Sequence, residues 1–159
     1  MEENRVDKAE RLFREGYNCS QAVVAAFCDL YNMDEELALR ISASFGAGLG
    51  RMREVCGAVS GMGIIAGLEN GATIGQDKVG KKANYDLIAA MAGEFKKKNG
   101  TIICRELLGL DKEKNNINND IVDTTPQERN ELYYKTRPCV EKVRECAQII
   151  EDYIVKNKK

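Results

Sequence analysis

The sequence predicts an all-α, single-domain multi-helix bundle with a glycine-rich central helix. Apolar residues recur at helical spacing along most of the chain, no alternating strand pattern of useful length occurs, and neither an internal repeat nor a composition shift marks a second domain. Residues 1–159 therefore read as one helical domain. With 159 residues, 43% of them hydrophobic, such a domain buries roughly two-thirds of its unfolded surface without disulfide staples.

Each element follows from local chemistry. Arg5 to Arg14 places Val6, Ala9, Leu12 and Phe13 on one face and stops at Gly16. From Asn18 to about Tyr31, Cys19, Ala22, Val23, Ala26, Phe27 and Leu30 form an apolar stripe with Cys19 in the first turn. Asp34 is the expected N-cap of a third helix, with Leu37, Ala38, Ile41 and Phe45 as its inner face.

Glycine is concentrated between Gly46 and Gly71. Gly46, Gly48 and Gly50 predict an irregular loop, and Val55 to Leu68 a small-residue helix carrying Gly57, Gly61, Gly63 and Gly67. A glycine inside a helix costs up to about 1 kcal/mol against alanine, so this density implies close approach of another backbone or of a cofactor. Lys78 to Lys98 predicts a long helix with Ala83, Leu87, Ile88, Met91, Ala92 and Phe95 inside. A short helix from Ile103 to Leu108 follows, holding Cys104 after a Thr101 cap. Asp111 to Asp123 reads as an exposed loop. Thr125-Pro126-Gln127-Glu128 has the pattern of a helix start, Pro138 interrupts that helix, and a last one runs to about Lys156 with Val140, Val143, Ala147, Ile150 and Ile154 toward the core.

Composition narrows the chemistry. There is no histidine, which removes Ser-His-Asp and Cys-His catalysis, HExxH zinc sites and histidine-ligated haem. A formal charge of -1 supplies no net field for nucleic acid or anionic lipid. The charged N-terminus and the lack of a long apolar run predict no signal peptide and no membrane insertion, hence a cytoplasmic protein whose thiols stay reduced. Several cysteines in that setting point to redox or metal chemistry.

The six cysteines contain no CxxC pair. Cys19 and Cys28 would lie about 13 Å apart along one helix, and Cys139 and Cys146 about 10 Å apart along another, too far to bridge. Cys19, Cys56, Cys104 and Cys139 fall at helix starts, where the helix dipole favours thiolate. Cys28 and Cys146 read as packing residues. Gly57 and Gly61, four apart on one helical face, would let a neighbouring helix or a cofactor approach Cys56. GAGLG lacks the spacing of a dinucleotide fingerprint.

Cys56-Gly57-Ala58-Val59-Ser60-Gly61 resembles the CGAxxG core of the redox-active proteins named for their C_GCAxxG_C_C cysteine pattern. The preceding GAGLGRMREV is similar to that family's glycine-rich approach, Gly16-Tyr17-Asn18-Cys19-Ser20-Gln21-Ala22-Val23 to its first cysteine motif, and Cys104 and Cys139 fall where its last two cysteines are expected. The resemblance covers nearly the whole chain. It implies a small helical redox protein, often encoded near transporter genes, and relatives fused to electron-transfer segments imply that the same cysteines can hold an iron–sulfur centre.

The leading expectation is a thiol redox protein in which two or more of the candidate catalytic thiols Cys19, Cys56, Cys104 and Cys139 converge and cycle between dithiol and disulfide with a redox partner protein or a small thiol. Cys56 is the first choice of nucleophile, with Arg51, Arg53 and Arg105 available to stabilise a thiolate. The alternatives are an iron–sulfur cluster or zinc held by the same four cysteines as metal ligands, and a helical interaction module working with a transporter system. A homodimer through the glycine-lined face is compatible with each. Tyr17, Tyr133 and Tyr134 read as packing, and Glu54 as a solvated helix-start carboxylate.

Overall fold

A computed structural model describes residues 2–110 and 123–158. Its architecture is an all-α single-domain bundle: α1 (Arg5–Arg14), α2 (Cys19–Phe27), α3 (Glu35–Ser42), the one-turn α4 (Gly46–Leu49), α5 (Gly57–Asn70), α6 (Lys78–Asn99), α7 (Cys104–Leu107), α8 (Glu131–Thr136) and α9 (Cys139–Ile150). Among the described residues the extended pairing is limited to one antiparallel bridge between Val55 and Ile103. The loop expected over Asp111 to Asp123 lies, but for Asp123, outside the described residues.

Short polar side chains set the starts. Asn4, Asn18, Asp34, Asp77 and Asn130 each accept a backbone N–H from the first turn they cap, and at α2 Gln21 returns a bond to Asn18, completing a capping box. Gly16 and Gly100 take positive φ where α1 and α6 end. Pro138 separates α8 from α9, which continues through a π-turn over Glu151–Val155.

The bundle is assembled around α2. It packs against α1, α3, α5 and α9, while α5 also contacts α6 and α9. Ser20 and every residue from Ala22 to Phe27 are buried, so α2 carries no single stripe. A helix hydrophobic all round belongs at the centre of a bundle, and CSQAVVAAF is such a sequence.

Three expectations are corrected. Leu37 and Ile41 are exposed, because α3 meets α2 through the small residues Ala38 and Ser42 instead. Ala83 is also exposed, since α6 buries Met91 and Phe95 in its C-terminal half while its N-terminal half runs out into solvent. The helix expected from Thr125 starts instead at Glu131, capped by Asn130. Immediately upstream, the Arg129 guanidinium donates to the backbone carbonyls of Phe13 and Tyr17 and stacks 4.0 Å from the Phe13 ring centroid. Those tertiary contacts hold the segment extended against its local capping signature.

Candidate functional site

Each of the four cysteines singled out by sequence begins a helix. Cys19, Cys104 and Cys139 are the first residues of α2, α7 and α9, and Cys56 is the N-cap of α5. All four line one cavity of about 80 Å³, together with Arg53 and Tyr133. That space admits a small group such as one side chain and is far below the several hundred Å³ of a pocket for a whole organic ligand.

Glycine makes the convergence possible at two points. A Cβ on Gly57 would collide with the Cys19 sulfur and lie 2.9 Å from the Phe45 carbonyl oxygen, so the sulfur of Cys19 occupies the space beside Cys56 that any other residue would fill. Gly61, one turn on, lies against Val23 and the Ser20 carbonyl, with a Cβ there 3.0 Å from the Cβ of Val23. The glycine pair thus faces α2, and the partner it admits is that helix.

The second point is the segment from Gly46 to Glu54. Ala47, Leu49, Arg51 and Arg53 have φ of 56°, 70°, 69° and 62°, and Gly48 and Gly50 are left-handed as well. L-residues pay about 1–2 kcal/mol each for this conformation, so α4 is a left-handed turn in substance. Glu54 N donates to Gly48 O at 2.8 Å, Cys56 N to Ile102 O at 2.8 Å and Cys104 N to Glu54 O at 2.6 Å. These bonds stitch the strained turn to the chain before α7 and fix Cys56 beside Cys104. A Cβ on Gly48 would lie 2.7 Å from Arg53 Cα and 2.8 Å from Cys104 Cβ. Backbone strain held by surrounding bonds is characteristic of functional sites.

Burial dominates the electrostatics of the thiols. Cys56 is 7% and Cys104 8% exposed, whereas Cys19 and Cys139 are half-buried. Desolvation and the neighbouring Cys19 push the Cys56 thiol far up, although the N–H groups of Ala58 and Val59 favour its thiolate. Desolvation likewise raises Cys104 against the opposing pull of Arg53, whose Nη1 donates to Cys104 Sγ at 3.8 Å. Cys139 is pushed up to about 11 by burial and by Cys19 and Cys104, with the Tyr133 hydroxyl and Arg137 acting the other way. Loss of hydration thus outweighs the helix terminus and argues against the low thiol pKa expected at Cys56.

Other side chains also differ from expectation. Tyr133 lines the cavity and favours the Cys139 thiolate, beyond the packing role its sequence position suggests. No short-range pattern marks it, since it reaches Cys139 across the Pro138 break. Of the arginines, Arg53 meets a thiol, while Arg105 pairs with Glu54 at 2.7 Å and donates to Arg53 O. Glu54 is thus tied up in an ion pair. Thr101 does not cap α7. Its Oγ1 accepts from Ile103 N one step earlier, and Ile103 holds the cap position without a side-chain bond. Cys28 and Cys146 are buried in the core. Cys146 nevertheless lies close enough beneath the site for Cys56 and Cys19 to act on it.

All six cysteines are free thiols. Among the described residues no group of three or more cysteine or carboxylate side chains is placed to hold a metal ion. Four thiolates arranged tetrahedrally are what zinc or an iron–sulfur cluster requires, and the four cysteines are not grouped in that way among the described residues. No helix among the described residues is long and apolar enough to cross a membrane.

No match was found among curated proteins or among solved structures. A family model described as "Putative redox-active protein (C_GCAxxG_C_C)" matches residues 17–153, a span that includes Cys19, the Cys56–Gly61 motif, Cys104 and Cys139. With four cysteines at helix starts around one cavity and that match over most of its length, the chain belongs to the C_GCAxxG_C_C family of cysteine-based redox-active proteins.

Proposed function

We propose that the protein is a dithiol–disulfide redox carrier in which Cys139 attacks a substrate disulfide and Cys19 resolves the mixed disulfide. The observation that carries this reading is the placement of Cys19. Its sulfur fills the space left by Gly57 beside Cys56, and it lies near enough to Cys56, Cys104 and Cys139 to help raise all three thiols. Cys19 is thus the common neighbour of the other three thiols.

Cys139 suits the first step because it is half-buried, lines the thiol cavity and also opens onto a larger adjoining cleft. Its thiolate attacks one sulfur of a small-molecule or protein disulfide, the S–S bond breaks, and the leaving thiolate takes up a proton. Cys19, once deprotonated, attacks the mixed disulfide at Cys139, releasing the second thiol. The substrate disulfide gains two electrons and becomes two thiols, and the protein loses two electrons and two protons to form one disulfide. A reducing thiol restores it. Raised thiol pKa values keep Cys56, Cys104 and Cys139 protonated at rest, and a reducing compartment such as the cytoplasm suits that state.

The test is to treat the fully reduced protein with a neutral disulfide, hydroxyethyl disulfide, and map cysteine pairing by peptide mass spectrometry. The expected product is an intramolecular disulfide containing Cys19. In Cys19→Ser that product disappears and the mixed disulfide on Cys139 accumulates. Failure of the wild-type protein to form any intramolecular disulfide, or unchanged pairing in Cys19→Ser, defeats the reading.

A further inference from the structure

The thiol cavity adjoins a cleft of about 570 Å³, within the range of sites that hold small organic ligands. The two share Cys139, Arg53 and Tyr133, so a molecule in the cleft presents one end to the thiols. The cleft wall is strongly basic, with Arg51, Arg53, Arg129 and Arg137 all lining it.

Their partners distinguish them. Arg129 is engaged in structure, holding the carbonyls of Phe13 and Tyr17, and Arg53 reaches Cys104. Arg137 donates to the neutral Gln127 at 3.2 Å. Among the described residues neither Arg51, Arg53, Arg129 nor Arg137 forms an ion pair. Arg51 is half-buried, and its pKa is lowered first by desolvation and then by the charges of Arg53 and Arg137, with exposed Asp123 as the opposing carboxylate. Two of these arginines, Arg51 and Arg53, sit on the left-handed turn, so backbone strain is maintained where it brings like charges together.

We propose that this cleft binds a small disulfide bearing carboxylates, anchored by Arg51 and Arg137 so that its sulfur pair reaches Cys139. The proposal rests on the dithiol reading above and adds the substrate class to it. A planar guanidinium pairs with a carboxylate through two parallel hydrogen bonds, and thiols built on cysteine carry such a group. An anion entering the cleft would relieve the mutual repulsion of the arginines as it binds.

The binding step can be separated from the chemistry with S-methylglutathione, which has the carboxylates but no exchangeable sulfur. Calorimetric titration is expected to show binding to the full-length wild-type protein that weakens at higher salt. It should fall by about tenfold in Arg51→Gln and again in Arg137→Gln, and should be lost when both carboxylates of the probe are methyl esters. Far-UV circular dichroism and the urea midpoint of the same variants should match those of the wild-type protein, which shows that they are folded. No binding by the wild-type protein, or an affinity indifferent to the esters or to both substitutions, overturns the anion site while leaving the dithiol reading in place. Binding as described in a protein that reduces no disulfide establishes the anion site and removes the redox reading instead.

Discussion

Single residues show how burial sets the chemistry of this site. Ser20, next to Cys19, is fully buried and its hydroxyl has no hydrogen-bond partner among the described residues. A buried polar atom without a partner forfeits its hydration for no return. Ser20→Ala is therefore expected to raise stability by about 1 kcal/mol, read as an upward shift of the urea midpoint with an unchanged slope. A loss of stability would mean that the hydroxyl has a partner, with a neighbouring thiol the first candidate. At this scale the sequence was most informative about which cysteines matter. Four thiols at helix starts could be recognised from caps, glycines and Pro138, and each does begin a helix. Their ionisation was not legible, because desolvation comes from residues distant in sequence. The site role of Tyr133, which reads as packing in the sequence, was not legible either, because it acts on Cys139 across the Pro138 break.

Among elements, the packing of α2 against α5 places Cys19 beside Cys56. Gly57 and Gly61 lie where α2 comes closest, which accounts for the cost of glycine within α5. Gly57→Ala forces the Cys19 sulfur or the Phe45–Gly46 backbone to move. Overpacking of this kind costs typically about 1–3 kcal/mol. Urea unfolding should show that loss, and disulfide mapping should show less Cys19-containing product at equal fraction folded. Normal stability and pairing in Gly57→Ala would show that the close approach is not required. The approach was readable in outline, since spaced glycines on one helical face announce a near neighbour. The identity of that neighbour was not, because an all-round apolar helix such as α2 gives no periodicity to say which side meets which partner. The same limit explains α3, where Ala38 and Ser42 were chosen over the larger Leu37 and Ile41. Close helix contact favours small residues, whereas a count of apolar side chains favours large ones. At α8 a sound local start signal lost to the bonds made by Arg129, which join positions more than a hundred residues apart in sequence.

For the molecule as a whole, the raised thiols link stability to pH. Cys56, Cys104, Cys139 and Cys146 all hold their protons more tightly when folded, chiefly through desolvation. The folded state therefore binds more protons than the unfolded state once pH exceeds the ordinary thiol value of 9.0. Their contribution is fully present below that value and is lost as pH rises toward the folded-state values, about 11 for Cys139. Each such group removes on the order of 1.4 kcal/mol per pH unit within its window, with less where solvent reaches the thiol. Half-buried Tyr31 and Tyr133, also raised chiefly by desolvation, extend the decline to higher pH. The urea midpoint of the reduced protein should be flat across neutral pH and fall from about pH 9 upward. Lysines titrate in the same range, so Cys139→Ser is the control, and its curve should fall less steeply between pH 9 and 11 than that of the wild-type protein. Parallel curves would show that Cys139 is no more protonated in the folded chain than in the unfolded one. The same protons link stability to reactivity, since unfolding releases the thiols to their ordinary values. Iodoacetamide at pH 8 should then label the unfolded chain faster than the folded one, with Cys19 and Cys139 labelled before Cys56 and Cys104 as long as the fold persists.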